Sequence, residues 1–203
     1  MCIRDRESAL LTVREKLITA FHASERIDAA LLATLAPELL EVVDADGVAI
    51  FSGTGVFRYG QLPPEAELQR IRTVLAAADT PKGADGITGM RHTDMIGTHY
   101  PALDNPSITS LAAGVVFMPL QADGHDVVVW NRTEQVRDVR WAGNPALAKL
   151  EDIPGARLSP RQSFASWQET VRGRSRPWSR QHLDSARALR LLIQMDARTH
   201  PAA

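Results

Sequence analysis

Three clusters in this chain have the residue types of a reactive or metal-binding site. Asp123-Gly-His125-Asp126 offers the carboxylates and imidazole that hold a divalent cation, and His92-Thr-Asp94 and His99-Tyr100 offer acid–base pairs. The Asp and Gly of the first cluster are also the residues of a tight hairpin turn. No reactive Ser or Cys motif accompanies the histidines. Gly53 and Gly55, and Gly83, Gly86 and Gly89, lack the Gly-x-Gly-x-x-Gly or Gly-x-x-x-x-Gly-Lys-Ser/Thr order that cradles phosphate, and they read as turn glycines. Nothing here assembles a nucleophile, a metal cage or a phosphate loop, so the chain is expected to be non-enzymatic, with no metal and no cofactor of its own.

A different chemistry, recognition by planar cations and aromatic rings, is concentrated further along. Three of the four tryptophans fall between Trp130 and Trp167, with Arg132, Arg137, Arg140, Arg157 and Arg161 among them. A guanidinium makes two parallel hydrogen bonds to a carboxylate, which an ammonium cannot reproduce. Connections longer than about 12–15 residues without structure of their own are usually functional or disordered. Disordered segments are depleted in aromatics, so this stretch is expected to be a functional extension.

Three motifs in it, taken in order, resemble the tongue, the hairpin extension of the PHY domain of bacterial phytochromes, which are red and far-red light receptors. They are Trp141-Ala142-Gly143, Pro160-Arg161-Gln162-Ser163-Phe164, and the run from Trp167-Gln-Glu-Thr-Val171 to Ser175-Arg-Pro-Trp178. At pattern level the similarity extends from about Ile27 to Arg190. The resemblance implies a tongue that folds onto a GAF domain of the same parent chain and seals its bilin pocket. Arg161 would pair with a GAF aspartate, and Ser163 would take over that contact in the other light state. Trp141 and Phe164 would exchange places on the GAF surface, with Pro160, Gly143 and Trp167 completing the contact set, while the tongue converts between β-hairpin and helix. Ala142 stands where the family commonly has Gly, and Asn131 where it has Phe.

The resemblance also implies biliverdin in the parent receptor but none in this chain. The family's bilin-bearing cysteine precedes PAS and GAF domains that are absent here, so Cys2 has no pocket to serve. Asp152-Ile-Pro154 matches the core of a GAF motif by chance, since it sits inside the tongue interval. The implied partners are the GAF domain, a second copy joined through the terminal helices, and a downstream output domain, such as a histidine kinase. His182 lacks a following kinase domain and reads as structural.

The whole chain bounds these readings. With 203 residues and 44% hydrophobic content it holds the core of one domain with appended helices. A net charge of −1 provides no broad positive field for nucleic acid or anionic lipid. The longest apolar run, Leu111 to Leu120, falls short of the roughly 20 residues of a membrane span. One cysteine and no secretory leader suit a reducing, cytoplasmic location.

The elements that must position the extension follow from periodicity. Leu10, Val13, Leu17 and Phe21 line a helix, and Asp28 to Val43 forms a second, broken at Pro37. Val48–Phe51 and Val56–Tyr59 make a hairpin, and Pro63-Pro64-Glu65 starts a helix with Leu68, Ile71 and Leu75 as its buried stripe. Gly83 to Gly97 and Thr98 to Ser107 read as connectors, Leu111–Met118 as a central strand, and Asp126–Trp130 as its antiparallel partner. Ser179 caps an exit helix with His182, Ala186, Leu189, Leu192 and Ile193 on one side.

The expectation is an α+β, GAF-like (PHY) domain: an antiparallel sheet flanked by helices, a long hairpin extension, and long N- and C-terminal helices. Residues 1–26 would be a leader and the end of a connecting helix, 27–178 the PHY domain with the tongue at about 131–167, and 179–203 the exit helix. A free-standing GAF-like sensor of a small ligand, with the extension as a lid, and a dimerisation module are the alternatives.

Overall fold

Apolar runs too continuous for a half-exposed sheet build the centre of the fold. A computed structural model describes residues 8, 11–13, 15–16, 19, 29–53, 55–78, 89–120, 126–142 and 166–199. Strands β1 (Gly47–Ser52), β2 (Gly55–Gly60), β3 (Arg91–Thr93), β4 (Gly114–Pro119) and β5 (Val127–Arg132) form an antiparallel sheet of five strands in the order β2-β1-β5-β4-β3. The helices are α1 (Ala29–Thr34), α2 (Ala36–Val43), α3 (Glu65–Ala77), α4 (Ile96–His99), α5 (Pro106–Ala112) and α6 (Arg180–Thr199). This is the α+β class expected, an antiparallel sheet flanked by helices.

β4 and β5 are buried at every position because both faces of the sheet are covered. Val48, Ile50, Val116, Met118, Val128 and Trp130 face a core shared with α1, α2 and α6, where Leu32, Leu39, Leu183, Ala186, Leu189 and Ile193 are buried. Alternation along each strand sends Ala49, Phe51, Val115, Phe117, Val127 and Val129 to the other face, against Leu68, Ile71 and Leu75 of α3 and Ile108 of α5. Fully burying one such aliphatic or aromatic side chain stabilises by about 1.5–3 kcal/mol.

Local chemistry sets the element ends. α2 starts beside Pro37, whose missing N–H is no loss in a first helical turn, and ends at Asp44 in the left-handed region (φ 55°). Ala45 N–H then donates to the Leu40 carbonyl at 2.9 Å. Gly47 lies opposite Asn131, and a Cβ there would stand 2.1 Å from the Gln61 carbonyl oxygen, so only glycine fits. Two elements depart from the sequence expectation. Leu111 and Ala112 close α5 instead of opening β4, because Asn105 caps that helix through the Ser107 N–H (3.1 Å) and Pro106 occupies its first turn. The short strand β3, in what read as a connector, exists by pairing with β4.

A second, two-stranded sheet pairs β6 (Arg137–Ala142) with β7 (Ser166–Val171). The chain divides into two compact units, one of Met1–Glu134 with Gly173–Ala203 and one of Gln135–Arg172. Trp130, Asn131 and Arg132, which read as the root of the extension, are buried residues of β5 in the first unit.

Candidate functional site

The second unit carries the residues for which the motifs predict contacts. β6 and β7 are antiparallel over six residue pairs, and their register sets Trp141 opposite Trp167. Two of the predicted contact residues are therefore brought together by strand pairing across 26 positions of sequence. Gly143, Pro160, Arg161, Ser163 and Phe164 lie outside the described residues, as do Cys2, Asp152 and the turn Asp123-Gly124-His125. A lone two-stranded hairpin is marginally stable in water.

The first unit holds a polar cluster where the chain leaves for the hairpin and returns from it. Arg132, the last residue of β5, is 1% exposed, and its guanidinium is ringed by acceptors. Its Nε–H donates to the Asp44 carbonyl at 2.9 Å, and Nη1 donates to the carbonyls of Pro177 (2.7 Å) and Arg176 (3.2 Å). Nη2 donates to the Val43 carbonyl at 2.9 Å and to His182 Nδ1 at 3.1 Å, and lies 3.4 Å from the Asp44 carboxylate. A buried guanidinium is tolerable only when its fork of donors is satisfied in this way, a geometry lysine does not have.

Neighbouring residues extend the cluster. Asp46 accepts from the backbone N–H and the hydroxyl of Thr133 at 2.8 and 2.9 Å, and Arg176 reaches Asp44 and Asp46, each at 2.9 Å. The Gly173 N–H donates to the Glu134 carboxylate at 2.5 Å, so the two ends of the main unit that flank the hairpin are hydrogen-bonded to each other. Two guanidinium groups and two carboxylates balance in charge. The Arg176 pairs, on a side chain 36% exposed, contribute little beside the buried one.

From this cluster the exit helix begins. Ser179 Oγ accepts from the His182 N–H at 3.3 Å, and His182 Nδ1 accepts from the Ser179 N–H at 3.0 Å, a reciprocal cap of α6. Arg132 and the Ser179 amide can only donate, so Nδ1 carries no proton and the ring proton is on Nε2. Trp178 Nε1–H donates to the Thr93 carbonyl at 2.9 Å, and Ser175 N–H to the Asp94 carbonyl at 2.9 Å, which pins the return segment to the end of β3. Two turns further along, burial holds the Arg190 guanidinium below its usual range.

Two other histidines are among the described residues, His92 and His99. His99 Nδ1 lies 2.6 Å from the Thr93 hydroxyl, which also accepts the Met95 N–H at 3.0 Å. Partial desolvation and the nearby Arg187 lower the proton affinity of His92, whose side chain remains exposed at its surface. Among the described residues no group of three or more ligands could hold a metal ion, and no helix is long and apolar enough to cross a membrane. A cleft of about 100 Å³ between α1, α2 and the Phe57 and Tyr59 of β2 falls below the roughly 300–1,000 Å³ of small-molecule sites.

Sequence reasoning singled out the hairpin motifs and missed Asp44, Asp46, Thr133 and Glu134. The two aspartates lie in the turn between α2 and β1. Arg132 lies 88 positions from Asp44, and no local pattern announces that pairing.

This architecture, a helix-flanked five-stranded sheet with a hairpin inserted between β5 and the exit helix, coincides with a family-wide match. Residues 10–200 match the family described as PHY, the phytochrome region. The chain belongs to the PHY family. It is 50% identical over 189 residues to a bacteriophytochrome of Xanthomonas campestris pv. campestris, covering 93% of this chain and 30% of that protein. To cyanobacterial phytochrome B of a Nostoc species it is 32% identical over 184 residues, covering 90% of this chain and 23% of the relative. The PHY fold aligns with the Stigmatella aurantiaca phytochrome photosensory core module at a TM-score of 0.74 and 30% identity, covering 98% of this chain and 37% of that one. With a bacteriophytochrome from R. palustris the TM-score is 0.71 at 23% identity, over 98% and 38% of the two chains, which supports the fold alone. This PHY chain thus spans under a third of the length of these curated relatives.

Proposed function

We propose that this chain is the relay region of a red/far-red light receptor. The hairpin is its tongue, contacting and stabilising a bilin-binding GAF domain of the same parent chain and passing the photoconversion signal to an output module. The observation that carries this reading is the separate hairpin unit of Gln135–Arg172, set between β5 and α6 of a PHY fold. A two-stranded sheet needs an outside surface to define its state, and the motif residues supply the groups to meet one. Arg161 pairs with a GAF aspartate in one light state and Ser163 replaces it in the other. Trp141 and Phe164 exchange places, and Pro160, Gly143 and Trp167 shape the contact.

Moving a two-state element from 1:99 to 99:1 takes about 5.5 kcal/mol of differential binding. A desolvated arginine–carboxylate pair together with two exchanged aromatics is of that order, whereas one exposed salt bridge is not. Conversion from strand to helix shortens the rise from about 3.3 to 1.5 Å per residue and draws on the main unit. Residues 27–178 act as the PHY domain, 1–26 continue a helix from the GAF domain, and 179–203 carry the signal onward. In this reading the region is non-catalytic and binds no cofactor, biliverdin resides in the parent's GAF domain, and the receptor is a cytoplasmic homodimer joined through its terminal helices, contacting neither nucleic acid nor membrane.

The test joins PAS and GAF domains of a bacteriophytochrome ahead of this chain and substitutes Arg161→Ala. Faster dark reversion or incomplete photoconversion is expected; spectra and kinetics identical to the parent would overturn the assignment of Arg161.

A further inference from the structure

We infer that Arg132 is a positioning residue that couples the strand leading into the hairpin to the first turn of the exit helix, with His182 as the relay between them. The inference rests on the relay reading only for what the coupling is used for; the coupling itself stands on geometry. Arg132 is the last residue of β5, and its guanidinium reaches three segments that are distant in sequence. These are the end of α2 at Val43 and Asp44, the return segment at Arg176 and Pro177, and the imidazole of His182 inside the first turn of α6. His182 Nδ1 spends its acceptor capacity on two donors, Arg132 and the Ser179 N–H that opens the helix. The orientation of the cap therefore depends on where the guanidinium sits.

The residues beside it tie both flanks of the hairpin to the same place: Thr133 to Asp46, Arg176 to Asp44 and Asp46, and Gly173 to Glu134. A displacement of the strand end that follows Arg132 thus reaches the helix start through two hydrogen bonds, with no intervening loop to absorb it. Burying an ion pair is a poor route to stability, since a well-packed apolar replacement is often as stable. A buried guanidinium that meets the first turn of a helix is better explained by the geometry it imposes.

The test uses the full 203-residue chain and four proteins: the parent, Arg132→Lys, His182→Ala and His182→Asn, the last placing an amide oxygen where Nδ1 stands. Amide hydrogen exchange is followed at Ser179 to Leu183 and, as an internal reference for global stability, at Val48 to Ile50 and Val115 to Phe117. Arg132→Lys and His182→Ala are expected to speed exchange in the first turn of α6 by about tenfold beyond any change in the sheet, while His182→Asn restores it to within about threefold of the parent. Equal acceleration in the sheet and in the helix start would reduce Arg132 to a stability residue and overturn the inference. So would a His182→Asn protein as defective as His182→Ala, and that pair decides alone should Arg132→Lys fail to fold. None of these readouts involves light, so a failure of the receptor reading leaves them unchanged.

Discussion

The guanidinium carbon of Arg132 lies 3.9 Å from the centre of the Trp178 ring, so the buried cation at the end of β5 is stacked on the residue that leads the chain into the exit helix. Trp178 also donates its indole N–H to the Thr93 carbonyl. One side chain thus closes the cation site and fastens the return segment to the sheet edge. Trp178→Phe keeps a ring over the guanidinium but loses the hydrogen bond, and should cost about 1–2 kcal/mol. Trp178→Ala loses packing as well and should cost about 3–5 kcal/mol. Urea denaturation of both proteins measures the difference; equal losses would contradict the stacking role.

The two arginines of the cluster should behave very differently. Arg132→Met leaves the carbonyls of Val43, Asp44 and Pro177 without their buried donor, and a loss of about 3–5 kcal/mol is expected. Arg176→Met removes only half-exposed pairs to Asp44 and Asp46 and should cost less than about 1 kcal/mol. Comparable denaturation midpoints for the two would show that Arg132 is not the central member.

Gly114 starts β4 directly beneath the return segment. A Cβ there would meet Ser175 Oγ at 2.0 Å and Ser175 Cβ at 2.9 Å. Gly114→Ala should therefore destabilise by about 1–3 kcal/mol through overpacking, and adding Ser175→Gly should recover most of that loss. A double-mutant cycle with no coupling between the two positions would rule out the clash.

Because Glu134 and Gly173 are hydrogen-bonded to each other, the main unit should survive without the hairpin. Replacing residues 135–172 by about three glycines is expected to leave a cooperatively folding protein within about 1 kcal/mol of the parent. Loss of the cooperative transition in thermal or urea melts would show that the hairpin is part of the fold.

Two groups are expected to give stability a pH dependence. The Glu38 carboxyl is held below its usual 4.5 by the hydrogen bond from Lys16 Nζ, with burial opposing in part. Its contribution is complete above the unfolded value and is lost as pH falls through the folded one. Lys16 is half exposed, so the effect is under about 1 kcal/mol, and Glu38→Gln should abolish it. Burial first, and Arg187 second, lower His92 from its usual 6.5. The unfolded chain therefore binds the proton more readily, and stability should decline as pH drops below 6.5 until the folded ring also titrates. A ring titration followed by NMR that places His92 above 6.5 would contradict this direction.

What could be read directly is what local periodicity encodes. Leu68, Ile71 and Leu75 announced α3, and the run Val127–Trp130 announced an antiparallel strand, which the structure shows buried on both faces. Leu111-Ala-Ala-Gly-Val115 read as strand from its first residue, whereas Leu111 and Ala112 are helical: a short apolar run satisfies a helix and a strand equally, and the Asn105 cap decides between them. β3 was invisible for a related reason. Its residues Arg91, His92 and Thr93 have no strand pattern of their own and become a strand only against β4.

By itself, then, the sequence determined the α+β class, because periodicity in contiguous residues reflects local geometry, and it pointed to the hairpin only through the resemblance its motifs carry. Tertiary structure alone decided that Arg132 is an interior residue, facing Val43 and Asp44 from one direction and His182 from another. A desolvated guanidinium takes whatever acceptors the fold brings within reach, and here they come from 44 to 89 positions away along the chain.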